Sequence, residues 1–132
     1  MEGALLKIFL TFALLFILMG SLAAQPVNAV IVNADESTSV VLDKGDDLTV
    51  NLTGNPTTGY LWEVFSLDGS VLQQVGDSVF RQDQPLMGAG GTVSFQFKAV
   101  GSGSTTVVFA YHRPFEKGIP PIKTRELQVV VN

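Results

Sequence analysis

The sequence predicts an all-β sandwich of seven or eight short strands, and three observations carry that reading. Apolar and polar residues alternate along short runs, the period of a half-buried strand. Clusters of Gly, Asn, Asp and Pro punctuate those runs at the spacing of turns. Beyond the first two dozen residues, no stretch of ten or more carries the 3.6-residue apolar period of a helix. Strands of this number and spacing in one small domain are the pattern of an immunoglobulin-like sandwich. The Cys…Trp…Cys spacing of antibody domains is absent, since the chain has no cysteine, so the strand order stays open.

The first segment stands apart from this pattern. Lys7 is followed by an apolar run from Ile8 to Met19 and then by Gly20-Ser21-Leu22-Ala23-Ala24. Such a run is too short to span a bilayer comfortably, and the small residues suit a signal peptidase cutting after Ala23 or Ala24. Residues 1–24 therefore read as a signal peptide and 25–132 as one domain, exported to a periplasm or secreted. Glu2 weakens the positive start of the leader, which makes an uncleaved anchor the alternative. No cysteine follows the apolar run, which excludes a diacylglyceryl lipoprotein.

The strands follow in order. Val27–Val32 and Ser39–Leu42 are β-branched runs, closed by Asn33-Ala34-Asp35-Glu36 and Asp43-Lys44-Gly45-Asp46. The acidic stretch Asp43–Asp47 reads as a solvated turn and lacks the ligand spacing of an EF-hand. Leu48, Val50 and Leu52 alternate with Thr49 and Asn51. Tyr60, Trp62 and Val64 continue the pattern after a turn, with Trp62 assigned to the core. Val71–Val75 and Ser78–Arg81 are shorter and weaker runs. Thr92–Ala99 alternates cleanly, Thr105–Tyr111 is nearly all β-branched or aromatic, and Ile122–Val131 closes the domain.

Composition narrows the function classes. The chain carries a net charge of −4, and Glu2 and Lys7 cancel, so the domain keeps that value. Nucleic acid is excluded as a partner, because phosphate binding needs clustered Lys and Arg. A fold without disulfides must stand on its apolar core, as a monomer that is not embedded in a membrane. His112 is the only histidine and has no cysteine beside it, which speaks against zinc and for an exposed loop residue. Neither a nucleophile elbow nor any other serine motif accompanies it, so the chain does not read as an enzyme. No cofactor or metal is expected. Asn51-Leu52-Thr53 matches a glycosylation sequon but lies in an expected strand.

Three loops carry unusual chemistry. Asn55-Pro56-Thr57-Thr58-Gly59-Tyr60 is uncharged and stiff, with φ fixed at Pro56 and free to turn positive at Gly59. Pro85-Leu86-Met87-Gly88-Ala89-Gly90-Gly91 sets long apolar side chains on a glycine-rich hinge. His112-Arg113-Pro114-Phe115-Glu116 pairs an aromatic with an Arg-Pro step, a combination suited to anchoring an interface. In a sandwich such loops can gather at one end, as antibody binding loops do.

These motifs resemble the chagasin-like family of cysteine peptidase inhibitors over nearly the whole of residues 25–132, and they fall in that family's order. The family's first loop has the form Asn-Pro-Thr-Thr-Gly-aromatic, here Asn55 to Tyr60, often with a tryptophan after it, here Trp62. Its glycine-rich middle loop matches Met87 to Gly91. Its last motif, Tyr-x-Arg-Pro-Trp-Glu, matches Tyr111-His112-Arg113-Pro114-Phe115-Glu116, with Phe115 in the place of the usual tryptophan.

The resemblance implies an immunoglobulin-like sandwich that blocks papain-like cysteine peptidases reversibly, without a covalent step, through loops 55–60, 86–91 and 111–116. The contact residues it implies are Asn55, Pro56, Thr57, Thr58, Gly59 and Tyr60; Leu86, Met87, Gly88, Ala89, Gly90 and Gly91; and Arg113, Pro114 and Phe115. Thr57 and Thr58 would offer hydroxyls to the cleft, and Arg113 would reach carboxylates or carbonyls beside Phe115. The alternative is an extracytoplasmic immunoglobulin-like module that binds another protein or a glycan through the same loops.

Overall fold

A computed structural model of the chain describes residues 27–132; the signal-peptide expectation for 1–24 lies outside them. Nine strands follow one another: β1 (Ala29–Asn33), β2 (Ser39–Leu42), β3 (Asp47–Gly54), β4 (Leu61–Ser66), β5 (Leu72–Gln74), β6 (Val79–Gln82), β7 (Gly91–Ala99), β8 (Gly103–His112) and β9 (Lys123–Val131). They form two packed sheets, one ordered β1-β3-β7 with β5 and β6 both pairing β7, the other ordered β2-β9-β8-β4. The count exceeds the expected seven or eight because both of the weak central runs are strands. Each is short, and they share the free edge of β7 in succession, β6 against Gly91–Ser94 and β5 against Phe97–Ala99.

Alternation in the sequence becomes burial in the fold. Leu48, Val50 and Leu52 of β3 and Val93, Phe95, Phe97 and Ala99 of β7 face Val107 and Phe109 of β8 and Leu127, Val129 and Val131 of β9 across the interior. Phe95, Phe97 and Phe109 cluster with ring centroids 5.1 to 6.5 Å apart, and burying each such ring contributes about 1.5–3 kcal/mol. Trp62 is buried as expected. The Asp43–Asp47 turn differs from expectation: Asp46 is buried, and its Oδ2 accepts from the Asp43 amide at 2.9 Å, so this carboxylate ties the turn rather than facing water.

The strand directions fix two poles. β3 ends, β7 begins, β4 begins, β8 ends and β9 begins at one pole, because Gly54 pairs Gly91, Leu61 pairs His112 and Tyr111 pairs Lys123. The opposite pole holds Asn28, whose carbonyl accepts from the Asp47 amide, and Asn132, whose amide donates to Leu42 O. Both β1 and β2 lie at sheet edges in parallel pairing, with β3 and β9 respectively. No helix among the described residues is long and apolar enough to cross a membrane.

Candidate functional site

The three unusual loops meet at the first pole. Residues Pro56–Thr58 form a single 3-10 turn between β3 and β4, with Asn55 as its N-cap in extended conformation and Gly59 as its left-handed C-cap at φ +84°. Pro suits the first helical position, where an N–H would go unpaired, and Gly accepts positive φ without steric cost. The Asn55 side-chain oxygen accepts from the Thr57 amide and from the Thr57 hydroxyl. The Thr58 hydroxyl donates to Asn55 O at 2.7 Å. Both threonine protons are therefore consumed inside the loop. The hydroxyl oxygens keep lone pairs with which to accept from a partner.

Aromatic rings hold this turn from beneath. Trp62 Nε1 donates to Thr53 O at 2.9 Å, and the Asn55 amide donates to the Tyr111 hydroxyl at 3.1 Å. Tyr111 stacks between Tyr60 and Trp62, with centroids 5.4 and 4.9 Å away. Gly54 makes this closeness possible, since a β-carbon there would stand 3.2 Å from the Trp62 ring and 3.1 Å from Val93. Tyr60 accordingly belongs to the loop's foundation more than to a strand; β4 begins one residue later.

Two tethers bind the outer loops to the first. The Asn55 side-chain nitrogen donates to Gly88 O at 3.0 Å. Leu86 and Met87 stand exposed beside this contact, with Met87 fully in solvent. Gly88 adopts φ +79° at the loop's tip. Gly91 is different from its neighbours: it is the first residue of β7 and buried, and a β-carbon there would fall 2.1 Å from Arg81 O. Its role is to admit β6 beside β7.

On the other flank, Arg113 Nε donates to Thr58 O at 3.2 Å, its guanidinium lies 4.4 Å over the Tyr60 ring, and Nη1 pairs with Glu116 at 3.0 Å. The guanidinium thus serves the loops' own assembly through two of its five N–H groups. Phe115 remains 69% exposed while its ring edge rests beside Gly59, where an added β-carbon would meet it at 3.3 Å. Pro114 is half-buried between them. His112 is also half-buried, at the end of β8 and not in a loop; it pairs with Glu63 at 2.9 Å and meets Phe65 edge-on.

His112 is engaged by a carboxylate, not by a serine or threonine hydroxyl, and no metal-holding cluster of His, Asp or Glu occurs among the described residues. Behind Pro56 and Tyr60 a cleft of about 280 Å³ opens between the sheets, its lining including Trp62, Phe80, Val93 and Tyr111 together with Glu63 and Ser78. It gives the loop an apolar backing. The exposed crest itself is a narrow convex ridge flanked by two apolar prongs, Met87 and Phe115.

Comparison with known proteins follows the same lines. The model of the chagasin family peptidase inhibitors matches residues 41–129. Amoebiasin-1 of Entamoeba histolytica is 33% identical over 82 residues, 61% of this chain and 78% of that protein. Chagasin of Trypanosoma cruzi is 27% identical over 92 residues, 64% of this chain and 81% of its own. Among solved structures, a cysteine protease inhibitor from Entamoeba histolytica superposes with a TM-score of 0.69 at 25% identity, over 82% of this chain and all of that one. The Leishmania mexicana inhibitor ICP gives a TM-score of 0.53 at 29% identity, over 74% of this chain and 90% of its own.

Proposed function

The chain belongs to the chagasin family of peptidase inhibitors, and from that premise we propose that its loop-bearing pole occludes the catalytic groove of papain-like cysteine peptidases, reversibly and without covalent chemistry. The observation that carries this reading is the mutual fastening of the three loops. Asn55 ties the first to the second and Arg113 ties it to the third. A surface whose shape is set before association loses less ordering entropy on binding.

The Asn55–Gly59 ridge enters the groove between the two lobes, over the thiolate and its histidine. A peptidase attacks a carbonyl presented by an extended chain. The ridge is a 3-10 turn, and the carbonyls of Asn55, Pro56 and Thr58 already accept hydrogen bonds from Thr58, Gly59 and Arg113. These carbonyls are therefore held away from the extended geometry that attack requires. Leu86 and Met87 lie along one lobe. Phe115 anchors the other, where its exposed ring leaves water for an apolar surface. Such a contact buries about 800 Å² per partner, the common size for protease–inhibitor pairs.

Export of the domain fits this role. The described chain begins at the pole opposite the loops, where Asn28 O accepts from the Asp47 amide. The domain acts as a monomer. Titration of residues 25–132 against papain and a cathepsin L-like enzyme, with a fluorogenic substrate, tests the reading. Stoichiometric loss of activity that recovers on dilution supports it. No inhibition by a large excess across several such enzymes would leave a module that binds some other ligand.

A further inference from the structure

We infer that the part of the β8–β9 hairpin beyond Phe115, from Lys117 to Lys123, is a selectivity arm that recognises an acidic-rimmed apolar surface on the peptidase lobe receiving Phe115. The inference rests on the three-loop reading and extends it to residues outside the loop motifs.

The connection spans residues 113–122, where an ordinary hairpin needs two to five residues to reverse direction. Its first part is accounted for: Arg113 and Glu116 close a turn, and Phe115 rests by Gly59. The remainder is surplus to the fold. The backbone re-enters the sheet only where the Ile122 amide donates to Tyr111 O. The connection is thus longer than the two to five residues usual for a hairpin.

The surplus segment is also stiff and apolar. Pro120 and Pro121 fix two consecutive φ angles, and Pro120 drives Ile119 toward an extended conformation. Ile119 and Ile122 are each 58% exposed. Apolar side chains held out on a stiffened backbone lose little entropy on docking.

Charge supplies the rest of the argument. Within the arm Lys117 and Lys123 are the charged residues, and no carboxylate lies between them. Glu116 is taken by Arg113, and no ion pair among the described residues involves Lys117 or Lys123. The Lys123 ammonium lies 4.9 Å over the Tyr111 ring at the foot of the arm. The arm thus projects a cationic, apolar surface from a domain of the opposite sign, continuous with Phe115. Its complement is a lobe surface with carboxylates around an apolar patch, and rim charges of this kind act chiefly on association rate.

The test compares Lys117→Glu, Ile119→Ser and Lys44→Glu, the last making the same charge change in a turn at the far pole. Association and dissociation rates are measured from progress curves with every papain-like peptidase in a panel that the parent protein inhibits, at several salt concentrations. Lys117→Glu should slow association at least fivefold at low salt and flatten its salt dependence for peptidases with an acidic lobe. Ile119→Ser should speed dissociation about tenfold, with melting temperatures unchanged in all three. Rates for Lys117→Glu that match those of Lys44→Glu across the panel, with Ile119→Ser dissociating like the parent, overturn the arm while leaving the three-loop reading intact. A parent protein that inhibits nothing in the panel overturns both.

Discussion

Replacing Gly59 by alanine tests the ridge and its right-hand prong together. The residue holds φ +84°, in the left-handed region that costs an L-residue about 1–2 kcal/mol. Against this, alanine restricts the unfolded chain and returns about 0.4–1 kcal/mol. The new β-carbon would lie 3.3 Å from Phe115 Cε1 and 3.5 Å from Arg113 Nε. Phe115 is largely exposed and can swing away at little cost to folding, so the free domain should lose only about 1 kcal/mol. For a domain of this size that lowers the melting temperature by about 4–8 °C. Inhibition should suffer more. The same methyl group moves Phe115 and loosens the Arg113–Thr58 bond, which are the features that set the third loop against the first. We expect at least a tenfold weaker inhibition constant, equivalent to about 1.4 kcal/mol, corrected for the folded fraction from urea unfolding. Unchanged inhibition alongside the expected fall in stability would show that the ridge and Phe115 do not act at the peptidase groove. Unchanged stability would refute the backbone argument itself.

Phe115→Ala should weaken inhibition by about 2–4 kcal/mol while leaving the melting temperature nearly unchanged, whereas Phe115→Trp should retain or improve binding; a stability loss with intact affinity would contradict the ring's exposure. Thr58→Asp should cost at least tenfold in affinity, because the carboxylate must lose water inside the groove, and equal inhibition by this variant across several papain-like enzymes would exclude the ridge from the active site. Tyr111→Phe removes the acceptor of the Asn55 amide, so urea unfolding should show a loss of about 1–3 kcal/mol; a neutral result would mean that water replaces the bond. At the far side of the domain, the Ser70 hydroxyl and then its amide donate to Asp68 and hold that carboxyl below its ordinary range. Its depressed value favours the fold above the unfolded-state pKa and loses that contribution as pH falls through the folded one, and an NMR titration of Ser70→Ala should show the Asp68 midpoint rising.

Strand positions were legible because burial at every second residue writes itself into the sequence: Leu48-Val50-Leu52 and Val93-Phe95-Phe97 needed no partner to be read. Pairing was not. Nothing in Val30 to Val32 or Val40 to Leu42 says that these runs pair parallel to β3 and β9 at the sheet edges, since periodicity records which face is buried and not which neighbour supplies the hydrogen bonds. The weak runs at 71–75 and 78–81 illustrate the same limit. The first buries only Val71 and Leu72 and the second half-buries only Phe80, and their strand character comes from the free edge of β7.

The site divides in the same way. Pro56 and Gly59 announced a stiff turn because their backbone constraints are local, and the exposure of Leu86, Met87 and Phe115 followed from apolar residues placed among turn formers. The fastening of the loops is non-local. It depends on Asn55 reaching Gly88, 33 residues away, and Arg113 reaching Thr58, 55 residues away, and both side chains read in the sequence as groups available to a partner. Their internal use changes how the surface works. The hydroxyl protons of Thr57 and Thr58 and two of the five N–H groups of Arg113 hold the ridge still. The large apolar side chains left outward are Leu86, Met87 and Phe115. Affinity at this pole should therefore follow shape and buried area, with charge discrimination left to residues farther along the β8–β9 hairpin.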